Sequence, residues 1–365
     1  MKPTSARRLF ALVSACFCVA APDSTSAAQY DYRITYTDLT PPAAFGGSLN
    51  FASGIQQGGS VDGYATVWNG PSHSLLNLHP ASATSSAVMA GAGTQQVGYT
   101  YSTAAWASHA AIWNGTVSSY RNLNPSWSLG SMALATTGNR QAGYATGPGY
   151  QVRAGLWSGT AASFVDLHPA AGISSIAYAM AGDQQGGMVN FNGIAHAALW
   201  SGAADSYRNL HPGVAGHSEI LAMTSNQQVG HAGAHAGIWF GTAESFVDIH
   251  PEGAAFSEAR AATDAMQAGF AVFDSYRHAL LWSGSADNYL DLQLALDSEY
   301  RESEAYSVWK DGETILVAGA ATDWPGAAHP MLWIIEVPEP MTASLLAFAL
   351  AVLAMVRRDK PRWTR

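Results

Sequence analysis

His196 to Pro212 reads HAALWSGAADSYRNLHP, and altered copies of this stretch run along most of the chain. The tryptophans at the centre of the copies are Trp68, Trp113, Trp157, Trp200, Trp239, Trp282 and Trp333, spaced 45, 44, 43, 39, 43 and 51 residues apart. A period in the forties means one supersecondary unit repeated. Working outward, Ser175 to Met180 alternates small residues with larger ones, as a strand does when one face is crowded. Gly182-Asp183 signals a turn, and QQGGMV continues as a second strand. Ala195 to Trp200 forms the third. Ser206 to Leu210 forms the fourth, stopped at His211-Pro212 because proline cannot donate to a ladder.

Each piece occurs seven times. The small-residue strand opens at Ser48, Ser86, Ser131, Ser175, Ser218, Ser257 and Ser303, and the second strand carries Gly58, Gly98, Gly143, Gly187, Gly230, Gly269 and Gly319. The phase of the count decides the architecture. The chain begins with a fourth strand, Ile34 to Leu39, and ends with a third, His329 to Ile335, so both termini complete one unit. An open solenoid has no use for that arrangement, whereas a closed ring of four-stranded units does. Gln29 to Glu336 is 308 residues, or 44 for each of seven units. The expectation is an all-β, seven-bladed β-propeller of four-stranded blades, closed by the N-terminal strand.

The small-residue strand, the QVG strands (Gln96–Gly98, Gln228–Gly230), HAxLW and a terminal Asp-Leu together resemble the HAF-type extracellular repeats, over residues 30 to 335. The resemblance implies a propeller-like extracellular protein and does not itself imply an activity.

Residues 1–28 read as a signal peptide. Lys2, Arg7 and Arg8 precede an apolar run, Leu9 to Ala21, and Ser26-Ala27-Ala28 is a small-residue cleavage site that places signal peptidase between Ala28 and Gln29. Lipoprotein cleavage ahead of Cys16 is the alternative. Both cysteines, Cys16 and Cys18, lie in this segment, so the mature chain has neither a disulfide nor a thiol nucleophile. Between Gln29 and Glu336 there are nine Lys or Arg and 23 Asp or Glu, a net charge of −14. That balance argues against nucleic acid and anionic membrane surfaces, and is compatible with a cationic partner or a neutral glycan.

Residues 337–365 form a distinct tail. Val337-Pro338-Glu339-Pro340 is followed by sixteen uncharged residues, 341–356, and then by Arg357, Arg358, Lys360, Arg362 and Arg365. As a helix the apolar run spans about 24 Å, against a hydrocarbon core of ~30 Å. The basic cluster would stay cytoplasmic, with the propeller across the inner membrane. Motif, helix and arginines in this order resemble the PEP-CTERM sorting signal. The resemblance implies a Gram-negative bacterium whose exosortase recognises Pro338-Glu339-Pro340 and removes the helix, and a final address at the cell surface or in a biofilm exopolysaccharide matrix.

Candidate chemistry is sparse. Of twelve histidines, nine are periodic: His109, His196, His235, His278 and His329 precede the Trp, and His79, His168, His211 and His250 precede Pro. Equivalent positions lie a blade apart, so these residues cannot converge on one ion and read as structural; His73, His217 and His231 stand outside the pattern. Glu219, Glu258 and Glu304 follow the opening serine in three consecutive blades, either as solvated strand starts or as an acidic arc at a channel mouth. The arc would take a hydroxyl-rich ligand or Ca2+, the one cofactor considered. Asp297, Glu299, Arg301 and Glu302 decorate a last-repeat insert, Leu296 to Glu304. No P-loop, nucleophile elbow or HExxH occurs, and no catalytic residue or metal ligand is assigned. Tyr101, Trp106, Trp127, Tyr150 and Trp324 fall in loops, where aromatic rings suit sugar stacking. The expected function is a non-enzymatic, envelope-sorted binding or structural protein. The alternative is a polysaccharide hydrolase or lyase at the propeller mouth, with Glu304 and Asp297 as first candidates.

Overall fold

The computed structural model describes residues 11–14, 31–70 and 72–337. It is a seven-bladed β-propeller. Each blade is an antiparallel sheet whose strands run outward from the axis in chain order. The inner strands of blades 1 to 7 are Gly47–Ala52, Ser85–Ala92, Gly130–Thr136, Ser174–Ala181, Ser218–Met223, Phe256–Ala262 and Tyr300–Asp311. Blade 7 takes its fourth strand from the N-terminal side: Asp31–Asp38 pairs with Ala328–Glu336, from Arg33 opposite Glu336 to Asp38 opposite Met331. The ring therefore closes as the phase of the repeats predicts. Ala11–Ser14, within the expected signal peptide, adds a fifth strand on the outer edge of Asp31–Ile34. The cleavage site, Pro338 to Pro340, the apolar run and the basic tail lie outside the described residues. Among the described residues no helix is long and apolar enough to cross a membrane. Val337, the last described residue, packs on blade 7 and donates its N–H to the Glu313 carbonyl at 3.0 Å.

The repeated tryptophans build the seams between blades. All seven are buried. Trp200 of blade 4 shares a cluster with Leu156 and Leu167 of blade 3, and Trp282 of blade 6 shares one with Ile238 and Ile249 of blade 5. At the closure Trp68 of blade 1 packs with Leu39 and Leu332 of blade 7. Nearer the axis the buried positions are small, as at Ala133, Ala177, Ala259 and Ala305, because blades converge there.

The recurring glycine of each second strand has a steric reason. Every inner strand is bulged where it pairs with the second strand. A carbonyl is thereby pressed against the glycine, and a Cβ at Gly98, Gly143, Gly187, Gly230, Gly269 or Gly319 would lie 1.9–2.0 Å from that oxygen. Blade 1 departs from the sequence reading by one residue. Its equivalent glycine is Gly59, not Gly58, and the serine position of its inner strand is held by Gly47, not Ser48.

Candidate functional site

Six of the seven blade junctions share one buried hydrogen-bond relay. The inner-strand serine of each following blade accepts the N–H of an alanine in the third strand of the preceding one: Ala65 to Ser86, Ala110 to Ser131, Ala154 to Ser175, Ala197 to Ser218, Ala236 to Ser257 and Ala279 to Ser303, all at 2.9–3.0 Å. His79, His168, His211 and His250 lie with Nδ1 2.8 Å from the serines of their junctions. Where Nε2 donates to a carbonyl, as His168 to Gly172 and His250 to Ala254 at 3.0 Å, Nδ1 is the acceptor and the serine hydroxyl donates to it. Asn124 takes the place of the histidine for Ser131. These histidines are structural, spread around the ring. So are those before the tryptophans: His235 meets Asp248 at 2.7 Å and His278 meets Asp291 at 2.8 Å, each across to the fourth strand.

A recurring residue that the sequence reading passed over is the glutamine opening the second strand. Gln96, Gln141, Gln185, Gln228 and Gln267 are buried opposite the tryptophan, and each accepts the N–H of a turn glycine just beyond it, at 2.8–3.0 Å. Its recurrence ahead of each glycine was the available signal.

Two glutamates of the arc, Glu258 and Glu304, are mostly buried and ion-paired. Glu219, Glu258 and Glu304 occupy equivalent positions on adjacent inner strands and line the channel, where guanidinium groups meet two of them. Arg260 bonds Glu258 through Nε at 2.5 Å and Glu304 through Nη1; Arg277 reaches Glu304 at 2.6 Å, and Tyr306 donates to Glu304 at 3.2 Å. Arg260 also lies over Phe270, 4.7 Å from the ring centre, and 5.2 Å from that of Tyr306. His231 stands 3.3 Å from Glu258 and directly opposite Glu219 in register. Among the described residues no group of three or more His, Cys, Asp or Glu is placed to hold a metal ion. The Ca2+ expectation thus meets a wall in which arginine already supplies the positive charge.

The two neighbouring carboxyls are pushed in opposite directions. Burial raises Glu219, opposed by His231 and reinforced by the charge of Glu258. Burial also acts to raise Glu258, but the close approach of His231 and the charge of Arg260 outweigh it and hold that carboxyl below its ordinary range. Burial and the charge of Glu304 push the Tyr306 hydroxyl up to about 12. Asp297 is engaged elsewhere, as a hydrogen-bond partner of Tyr36 on the fourth strand of blade 7.

The second feature is an aromatic surface. Because neighbouring strands are antiparallel, the loops joining second to third strands and those joining blades all lie at one end of the ring. Tyr101, Trp106, Trp127, Tyr150 and Trp324 are all at this end. Trp106 and Tyr150 are 81% and 82% exposed, Trp127 and Trp324 are also exposed, and Tyr101 is half-buried. Four of the five belong to blades 2 and 3 or the loop between them. Trp127 lies against the base of the Pro148–Tyr150 turn: a Cβ on Gly147 would be 3.6 Å from its indole. Trp106 and Tyr150 sit in left-handed backbone, with φ of 50° and 63°. Bulky residues seldom occupy this region, and such strain collects at functional sites. Across the ring, Trp324 pairs edge-on with Tyr276 of blade 6, ring centres 6.0 Å apart.

No protein-family model matches the chain, and no curated protein matches its sequence. Among solved structures, the chain is similar to a puromycin hydrolase variant (TM-score 0.53, 10% identity, 78% of this chain and 53% of that one) and to TolB from Acinetobacter baumannii (TM-score 0.44, 10% identity, 84% and 81%). The chain thus spans about half the length of the puromycin hydrolase, and at this identity the likeness establishes the propeller fold alone.

Proposed function

We propose that this is an exported, envelope-sorted propeller that binds a neutral glycan through the aromatic end of blades 2 and 3, without catalysing a reaction. The carrying observation is the grouping of Trp106, Trp127 and Tyr150 on one surface, two of them four-fifths exposed and in strained backbone. Exposed rings offer flat apolar faces to the CH faces of sugars, with polar edges for hydroxyls. The net negative charge disfavours an acidic polymer. Signal peptidase acting between Ala28 and Gln29, and an exosortase acting at Pro338-Glu339-Pro340, would release the propeller to a cell surface or exopolysaccharide matrix; the HAF-type repeats and the tripartite PEP-CTERM-like tail support that route.

The test is binding of the mature propeller to matrix polysaccharide. Trp106→Ala and Tyr150→Ala should each weaken it at least tenfold, with unfolding midpoints unchanged. Binding that survives the double variant ends this reading. A second reading, a polysaccharide hydrolase or lyase, is favoured by Glu219 and Glu258, adjacent carboxyls with opposed shifts. Release of oligosaccharides, abolished by Glu219→Gln, would put it first.

A further inference from the structure

The channel holds a cavity of about 610 Å3 that the glycan reading does not use. It occupies the part of the channel toward the ends of the inner strands, away from the aromatic loops, and all seven blades contribute to its lining. The volume is that of a site for a small molecule.

Its wall is two-sided. Blades 2 to 5 present Met89, Leu134, Met180, Leu221 and Met223, an apolar surface that can repack because unbranched thioether chains adapt their shape. Blade 6 presents Arg260, whose Nε and Nη1 are taken by Glu258 and Glu304, while Nη2 has no hydrogen-bond partner among the described residues. That nitrogen offers a donor to an oxygen acceptor. The charged residues that line the cavity, Arg260 and Glu258, are already paired with each other. An anionic ligand would meet the Glu258 carboxylate, and a cationic one the guanidinium, each without a free counter-charge.

We propose that this cavity is a second binding site, for an uncharged molecule with an apolar body lying on the methionine and leucine side and a carbonyl or hydroxyl acceptor at Arg260 Nη2. The site is independent of the glycan surface.

Nile red, neutral and carbonyl-bearing, is the probe, with the anionic anilinonaphthalene sulfonate as its counterpart. Nile red should saturate at one per mature propeller with blue-shifted emission, and bind at least tenfold tighter than the anion. Leu134→Trp, which fills the cavity, and Met180→Arg, which charges it, should each weaken Nile red at least tenfold while keeping the wild-type circular dichroism. Trp106→Ala and excess polysaccharide should leave it unchanged, so failure of the glycan reading does not touch this one. Should either cavity variant fail to fold, the other variant and the wild-type pair of dyes decide. Absence of saturable binding, preference for the anion, unchanged binding in a folded cavity variant, or displacement by polysaccharide would each overturn the proposal.

Discussion

Six junctions of this ring are built alike, and the seventh is not. At the six, a third-strand alanine donates its N–H to a buried serine of the next blade. At the closure the donor position is Pro330, which has no N–H, and the acceptor position is Gly47, which has no hydroxyl. The two losses coincide, so no buried group is orphaned. The closure keeps the bond common to all seven, here from Leu39 N–H to the Pro330 carbonyl at 2.9 Å. It adds another, from Ala52 N–H to Ser307 Oγ at 3.0 Å. Its outer strand also runs from Asp31 to Asp38, where blades 2 to 5 have outer strands of two residues. Duplicated junctions share a local relay, whereas the seam between blades 7 and 1 uses a bond between inner strands, and blade 7 itself is closed by a long non-local ladder. The difference shows that a repeat can lose its signature contact if both partners change together.

The largest effects should fail to distinguish the two kinds of junction, because each has its tryptophan. Trp200→Ala and Trp68→Ala should each lower stability by about 3–5 kcal/mol in reversible denaturant unfolding. A cost below about 1 kcal/mol for either would remove tryptophan from the core of its seam. The serine contrast comes next. Ser175→Ala strands the buried Ala154 N–H and should cost about 1–3 kcal/mol. Ser48, displaced by one residue from the relay, has its hydroxyl on its neighbour Asn50 at 3.1 Å, and Ser48→Ala should cost under ~0.5 kcal/mol. Equal costs would show that the relay contributes nothing to the regular seams. Pro330→Ala should cost about 1 kcal/mol, by exposing an N–H that finds no serine and by loosening the unfolded chain. A gain in stability would mean that another acceptor waits there.

The blade count, the strand order and the manner of closure were legible in the sequence, because a repeat declares itself by period and phase. The register of blade 1 was not. QQGGSV has two adjacent glycines and SLNFA opens with a serine, so the local pattern fits either alignment; only the bulge, through the crowded Gly59, selects one. The glutamate arc was visible as a triplet on consecutive blades, but its occupants were not. Arg260 shares an inner strand with Glu258, two residues on, while Arg277 comes from a neighbouring strand and His231 from the blade before. Pairing across blades leaves no short-range spacing to read. The aromatic loops were legible as residues; their grouping on blades 2 and 3 needed the strand directions.

The smallest expected effect separates the regular junctions among themselves. Ser131 meets Asn124, while Ser175 meets His168, so one relay cannot titrate and the other can. Burial, with the charge of Arg153 acting the same way, lowers the pKa of His168 below its ordinary 6.5. A base whose folded pKa is depressed binds its proton more readily in the unfolded chain. Its contribution is therefore complete above about pH 6.5 and is lost as pH falls through the folded value. Protonation would also put a hydrogen on Nδ1, the atom that accepts from Ser175. His79 and His250, lowered by burial, add to the same window. Glu258 does not, since a carboxyl held below its ordinary range acts only at lower pH. His168→Asn should thus match the wild type at pH 8 and lose less stability between pH 6.5 and pH 5. Chemical unfolding at the two pH values measures this difference directly. Identical pH dependence in variant and wild type would mean that His168 binds its proton equally readily in the folded and unfolded chain.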